Sequence, residues 1–187
     1  MNGAPSGIRV VPFYRAFCFV NYNWGYADMA EHIEQEITDI DEIDKFLCAA
    51  RVCRIALNSG EYPYIIPMLF GYNLTGGKLE LYFRCEEKGK KTELLKANND
   101  AAFEIDILYD IYKSEKLGGF EASYQSITGV GTIEFITGID KITGLSLITK
   151  KYNDSKTEMK CSEQQLNSFA ILKLTASEFC CKKHSIE

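Results

Sequence analysis

Gly89-Lys90-Lys91 is the part of this chain whose residue types point most directly to chemistry. It stands between an alternating apolar stretch, "LELYFR", and a short amphipathic one, "KKTELLKAN". That places the lysines where a strand gives way to the start of a helix. A helix N-terminus offers unpaired amide donors and a partial positive charge. Glycine lets the backbone come close to a bulky oxyanion, and two lysines add charge and donors. These are the parts of a phosphate site. Charge-assisted hydrogen bonds of this kind contribute about 1.5–3 kcal/mol each, so two or three would anchor one phosphate. A solvated turn neutralised by Glu86 and Glu87 is the other reading of the same residues. The lysines also lie at the helix end where cations are unfavourable, a local cost that an anion would remove.

Other reactive residue types are sparse. There are two histidines, His32 and His184, both near the chain ends, which argues against Ser-His-Asp and Cys-His nucleophile schemes. Seven cysteines (18, 48, 53, 85, 161, 180 and 181) contain no C-x-x-C pair, so neither a zinc site nor a disulfide scaffold is expected. Several fall in apolar periodic stretches and read as small core residues. Cys85 beside Arg84 invites a thiol-nucleophile reading, but with no histidine or resolving cysteine nearby a packed role is preferred. Any chemistry here is expected to be carried by a cofactor.

The 187 residues fit one domain with a sizeable core. The net charge of −5 argues against a general nucleic-acid binder. No apolar run approaches the roughly 20 residues that span a bilayer, so neither nucleic acid nor membrane is expected as a partner. Cysteine usage points to a reducing, cytoplasmic setting. Residues 1–28, aromatic and without clear period, read as an N-terminal extension of unknown role, and residues 29–187 as the single domain.

The elements that must position the basic turn follow from periodicity. "TDIDEIDKFLCAA" has acids in its first turn and apolar residues at helix spacing. "VCRIALN" alternates, "SGEYP" is a turn, and "YIIPMLFGYN" reads as one strand interrupted by Pro67, which marks an edge or bulge. "LTGGK" is a hairpin turn. In "LELYFR", Leu79, Leu81 and Phe83 share one face, and Tyr82 and Arg84 the other. "AAFEIDIL" alternates, residues 109–123 form a looser stretch, and "YQSITGVGTIEFI" is a long strand bent at Gly129 and Gly131. "DKITGLSLITKKY" is helical, with Ile142, Leu145, Ile148 and Tyr152 on one stripe, and "FAILKL" is a last strand. The expected fold is mainly β: a mostly antiparallel barrel with peripheral helices.

Three segments taken together, "VCRIALNSGEYPYIIPMLFGYN", "LYFRCEEKGKKTELLKANNDAAFEID" and "YQSITGVGTIEF", resemble the pyridoxamine 5′-phosphate oxidase-like flavin-binding superfamily. The match is nearest to the branch that includes the 5-nitroimidazole resistance (Nim-type) proteins, and it runs from about Ile37 to Leu174. The resemblance implies a split β-barrel that dimerises, with FMN in clefts at the subunit interface. FAD or a deazaflavin are the alternatives. It implies that Gly89, Lys90 and Lys91 hold the FMN phosphate and that Arg54 reaches the phosphate or ribityl region. Pro67, Met68, Leu69 and Phe70 would lie against the isoalloxazine ring, Tyr82, Phe83 and Arg84 beneath it, with Gln125 and Ser126 approaching as a polar pair. The branch commonly has histidine at the position of Arg84 and asparagine at that of Leu69. An Arg84 facing the ring would favour an anionic reduced flavin; one facing solvent, or paired with Glu86, would not. The function implied is a flavin- or nitro-reductase-like oxidoreductase exchanging hydride or electrons between a reduced nicotinamide and a small molecule. The alternative is a non-catalytic flavin carrier or sensor.

Overall fold

The computed structural model describes residues 35–114, 119–153 and 162–185; the extension expected over residues 1–28 lies outside them. Eight strands and four helices follow one another as β1 (Gln35–Ile37), α1 (Ile40–Ala49), β2 (Cys53–Leu57), β3 (Tyr64–Met68), β4 (Gly71–Thr75), β5 (Lys78–Cys85), α2 (Lys90–Ala97), β6 (Asp100–Ser114), β7 (Gly119–Ile136), α3 (Gly138–Tyr152), α4 (Glu163–Leu166) and β8 (Ala170–His184).

Every strand pairing is antiparallel. The sheet runs β3-β2-β6-β7-β8-β5-β4, with β1 added on β8. The two outermost strands, β3 and β4, are consecutive in sequence and joined only by Leu69–Phe70. The sheet curls until its edges face each other and leaves them unpaired: an open, split barrel.

Alternation builds the interior. Cys53, Ile55 and Leu57 of β2, Leu79, Leu81 and Phe83 of β5, and Phe103 and Ile105 of β6 point into one core with Phe70, Leu47 and Leu172. α1 closes this core with Ile43, Phe46 and Leu47. Its N-cap Asp39 accepts the Glu42 amide at 2.9 Å, which satisfies a donor that the helix leaves free. A smaller cluster, Tyr82, Ile136, Ile148, Phe169 and Ile171, forms where α3 covers the outer face of β4, β5 and β8.

Glycine makes that covering close. A Cβ on Gly71 would stand 2.5 Å from the Ile148 nitrogen, and one on Gly144 would stand 2.9 Å from both Ile171 and Tyr82. Gly129 lies under the Phe103 ring and Gly131 against the Thr175 carbonyl, next to a register shift in the β7–β8 ladder. Both therefore relieve crowding in a coiled strand.

Four sequence expectations shift. "YIIPMLFGYN" is two strands, and the break falls at Leu69–Phe70 rather than at Pro67, which sits in edge strand β3. Where described, the stretch over 109–123 is strand: β6 and β7 continue as a ribbon past the end of β8. β8 itself runs on to His184, well beyond "FAILKL". On α3, Leu145, Ile148 and Tyr152 pack as expected, but Ile142 is exposed and Gly144 is buried in its stead.

Candidate functional site

The basic turn is assembled by β5, α2 and β3. β5 ends at Cys85, Gly89 takes a φ of 125°, and α2 begins with Lys90. That φ is open to glycine and strained for other residues. No side chain caps α2, so its first amides have no side-chain acceptor. Both lysines lean back onto the inner face of β3. Lys90 Nζ lies 4.5 Å from the centroid of the Tyr64 ring, and Lys91 Nζ lies 3.6 Å from Met68 Sδ. Neither lysine pairs with a carboxylate among the described residues. Glu86, exposed, contributes its carbonyl to the Thr92 hydroxyl at 3.3 Å. No carboxylate thus neutralises the two lysines among the described residues, and Lys90 and Gly89 remain exposed to solvent.

Cys85 lies under this turn, 7% exposed. Burial raises its thiol pKa, and the Lys91 charge only partly offsets that. A raised pKa disfavours the thiolate, so the packed reading of Cys85 holds.

Tyr64 and Met68 share the inner face of β3, whereas Pro67 is exposed on its outer face. Leu69, in the step between the two edges, is 56% exposed; Phe70 beyond it is fully buried. The Phe70 amide donates to the Tyr152 hydroxyl at 3.1 Å, and that hydroxyl donates to the Arg51 carbonyl at 2.6 Å. Lys151 donates to the carbonyls of Leu47 and of Cys48 (3.0 Å for the latter) and lies over the rings of Phe70 and Tyr72. The last turn of α3 therefore ties the end of α1 to the β3–β4 step. Neither Lys151 nor Tyr152 carries a local sequence signal for this role, because each acts about a hundred residues away in the chain.

Arg54 leaves β2 by the outer face, opposite Pro67 and Glu104 in the register. It donates to Glu104 at 2.8 Å and to Asp106, two carboxylates on β6. It is thus engaged with acids on the face away from the lysines. Those hydrogen bonds, to Asp106 first and then Glu104, raise its pKa further; burial raises that of Glu104 despite the bond from Arg54.

Tyr82 and Arg84 emerge under α3. The Tyr82 hydroxyl donates to Glu80 at 2.9 Å, and the Arg84 guanidinium stacks over Phe169, 4.3 Å from its centroid. Phe83 points the other way and is fully buried in the core. Gln125 and Ser126, adjacent in β7, face opposite sides. Gln125 is 4% exposed, accepts the Tyr109 hydroxyl at 3.2 Å and donates to Cys181 Sγ at 3.5 Å. Ser126 lies on the outer face, in register with Asp106. The structure thus gathers Gly89, Lys90, Lys91 and Met68 into one group, with Leu69 and Phe70 just beyond. Arg54, Pro67 and Ser126 stand on the outer face.

A shallow cavity of about 560 Å³ lies elsewhere, by the β2–β3 turn, lined in part by Asn58, Pro63, Asp100 and Ser177. None of the expected site residues lines it. Among the described residues no helix is long and apolar enough to cross a membrane.

Comparison with known proteins agrees with this architecture. The family described as pyridoxamine 5′-phosphate oxidase matches residues 39–183. Among solved structures, a candidate 5-nitroimidazole antibiotic resistance protein from Bacteroides thetaiotaomicron superposes with a TM-score of 0.66 at 24% identity, covering 80% of this chain and 87% of that one. The FAD and heme binding protein from Mycobacterium smegmatis gives 0.71 at 20% identity, over 82% of this chain and 75% of that one. The flavocytochrome Anf3 from Azotobacter vinelandii gives 0.66 at 16% identity, over 81% and 70%. At these identities the likeness establishes the fold. No curated protein matches the chain.

Proposed function

Because this chain belongs to the pyridoxamine 5′-phosphate oxidase family, we propose that it is a flavin-dependent oxidoreductase of small molecules, with FMN as the flavin. The carrying observation is the uncapped start of α2, where Lys90 and Lys91 stand free of carboxylates and lean on edge strand β3. That donor set fits a phosphate monoester: uncapped amides, a glycine without a Cβ to obstruct, and two ammonium groups. Flavin-binding proteins of the same fold support the class of cofactor.

In this reading Gly89, Lys90 and Lys91 hold the phosphate. Met68 and the exposed Leu69 present the β3–β4 step to the ring, and Tyr152 fixes that step from behind through the Phe70 amide. Bound flavin supplies reversible hydride and electron transfer between a reduced nicotinamide and a small acceptor. The protein's part is to orient the ring and shield it from water.

We further propose that two copies associate through the outer face of β3, β2, β6 and β7. Ile65, Leu108, Ile111 and Phe120 are large, apolar and more than half exposed there, an arrangement typical of interfaces. The Arg54–Glu104–Asp106 group lies on the same face. Association would bring one protomer's Arg54 and Ser126 toward the flavin held at its partner's turn.

A carrier or sensor reading is favoured by one feature. Gln125, the buried polar side chain expected at the cofactor, already spends its amide on Tyr109 and Cys181. Anaerobic addition of NADH or NADPH to the flavin-loaded protein separates the two: bleaching supports the oxidoreductase, and an unchanged spectrum with each donor supports the carrier.

A further inference from the structure

The outer face of β6 and β7 differs at its two ends in a complementary way. Among its cross-strand pairs, Asp106–Ser126 lies at the middle. Toward one end follow Leu108–Tyr124, Ile111–Ala122 and Lys113–Phe120. Toward the other follow Glu104–Thr128, Ala102–Val130 and Asp100–Thr132. The first end projects, and the second is hollow.

β8 pairs with β7 as far as Tyr124, so beyond that point β6 and β7 continue as a ribbon of two strands. Such a ribbon is marginal in water by itself. This one also exposes Ile111 (57%) and Phe120 (77%) on its outer face. Lys113, in register with Phe120, is exposed beside it.

The hollow is the cavity of about 560 Å³. Small or short side chains, Ala56, Ala102 and Val130, line it on the outer face. The β2–β3 turn bounds it through Gly60 and Pro63, and β8 through Ser177. Ser177 falls at the register shift of the β7–β8 ladder, and its hydroxyl donates to the Val130 carbonyl at 3.2 Å. Asn58 is likewise engaged, accepting the Gly60 amide at 3.1 Å. The lining is therefore mostly apolar and carries one carboxylate, that of exposed Asp100. Neither Asp100 nor Lys113 makes an ion pair among the described residues. They stand near opposite ends of the 15-residue strand β6. At about 3.3 Å per residue they are roughly 40 Å apart, so they cannot pair within one chain.

We propose that this cavity receives the Phe120 end of the β6–β7 ribbon of a second copy, with the partner's Lys113 set against Asp100. The proposal rests on the pairing of two copies through the outer face and adds its register. A two-fold axis lying between the faces, across the strands at Asp106–Ser126, reverses the strand direction. It lays Lys113–Phe120 on Asp100–Thr132, and Ile111–Ala122 on Ala102–Val130. Each contact then occurs twice. Twist between packed sheets slides the strand ends sideways, and a cavity that runs from the β2–β3 turn to β8 accommodates the shift. The ribbon gains the packing it lacks alone, and a ring flanked by an ammonium group matches an apolar hollow flanked by a carboxylate.

Sedimentation of the full chain over a dilution series tests the register. D100K sets lysine against lysine at both contacts, and K113D sets aspartate against aspartate. Each alone should weaken the dimer about tenfold or more. Mixed in equal amounts, the two variants should associate to within about threefold of the wild type, because every contact in the mixed pair joins opposite charges. F120A should weaken the dimer about thirtyfold or more, since a ring leaves each of two cavities. All three positions are exposed, so each variant should keep the unfolding midpoint of its protomer. A dimeric wild type whose affinity F120A leaves unchanged, or a mixture that associates no better than D100K or K113D alone, overturns this register and leaves the pairing of copies standing. A monomeric wild type overturns both.

Discussion

The Tyr152 hydroxyl accepts the Phe70 amide at 3.1 Å across 82 residues of chain, and so fixes the step where the barrel splits. Phe70 is the first residue after the exposed Leu69, and its ring is fully buried. Tyr152→Phe keeps the ring and deletes both the acceptor for Phe70 and the donor to Arg51. Stability should fall by about 1–2 kcal/mol, the cost of leaving part-buried partners unmade. Flavin affinity should fall several-fold as the step loosens. Urea unfolding and a flavin titration of the same variant check both effects.

Lys151 gives the protein a pH signature. Burial pushes its pKa from 10.5 down to about 8; Arg51 adds to the shift, while Cys48 and Asp44 oppose it. The folded chain releases this proton near pH 8, whereas the unfolded chain holds it to about 10.5. Between those values the unfolded state binds more protons, so stability attributable to this group rises with pH. Lys151→Met should abolish that rise. Unfolding free energies of both proteins, followed from pH 7 to pH 10, should diverge only above about pH 8. Parallel curves would mean that Lys151 does not titrate in this window.

The two glycines at the α3 contact, Gly71 on β4 and Gly144 on α3 itself, should tolerate no side chain. Gly144→Ala places a methyl group 2.9 Å from Ile171 and Tyr82, an overpacking that costs about 1–3 kcal/mol. Gly71→Ala meets the backbone of Ile148 at 2.5 Å, where nothing flexible can yield, and should cost more. Their denaturation midpoints should rank wild type, Gly144→Ala, Gly71→Ala from highest to lowest.

Ile65→Glu tests the proposed pairing of two copies. Ile65 is 60% exposed, so a glutamate there should leave the fold of one protomer nearly unchanged. A sheet face buried in a dimer would not accept the charge. Sedimentation should show the wild type as a dimer and Ile65→Glu as a monomer with weakened flavin binding. A monomeric wild type removes the pairing proposal.

Much of the barrel was legible because burial writes itself into alternation. Cys53, Ile55 and Leu57, and likewise Leu79, Leu81 and Phe83, face the core as their spacing indicates. The hairpin at Gly76–Gly77 was legible for a different reason: both residues take positive φ, which glycine allows. What periodicity could not show is where the sheet stops. Leu108, Ile111 and Phe120 continue the strand pattern past the core, and Tyr109 interrupts it at a register shift, so the stretch looked irregular. The break at Leu69–Phe70 was hidden because the apolar run of β3 continues straight through it, and Pro67 offered a more conspicuous punctuation mark.

The candidate site divides in the same way. Gly89, Lys90 and Lys91 stood out because they are local and chemically distinctive. The side that Arg54 takes is set by register with Pro67 and Glu104, and its two carboxylates come from a strand fifty residues on. Tyr152, Lys151 and Phe169 act wholly through tertiary contact, where no spacing rule reaches.

The central claim is that the α2 turn holds the phosphate of a flavin, and the most direct measurement is a ratio. Titrating the protein with FMN and with riboflavin isolates the phosphate, since the two ligands share the ring and the ribityl chain. The wild type should prefer FMN by about a hundredfold or more, and K90A/K91A should bring the two affinities close together while leaving that for riboflavin almost unchanged. An FMN preference that survives the double substitution, or a wild type that binds neither ligand, would contradict the account.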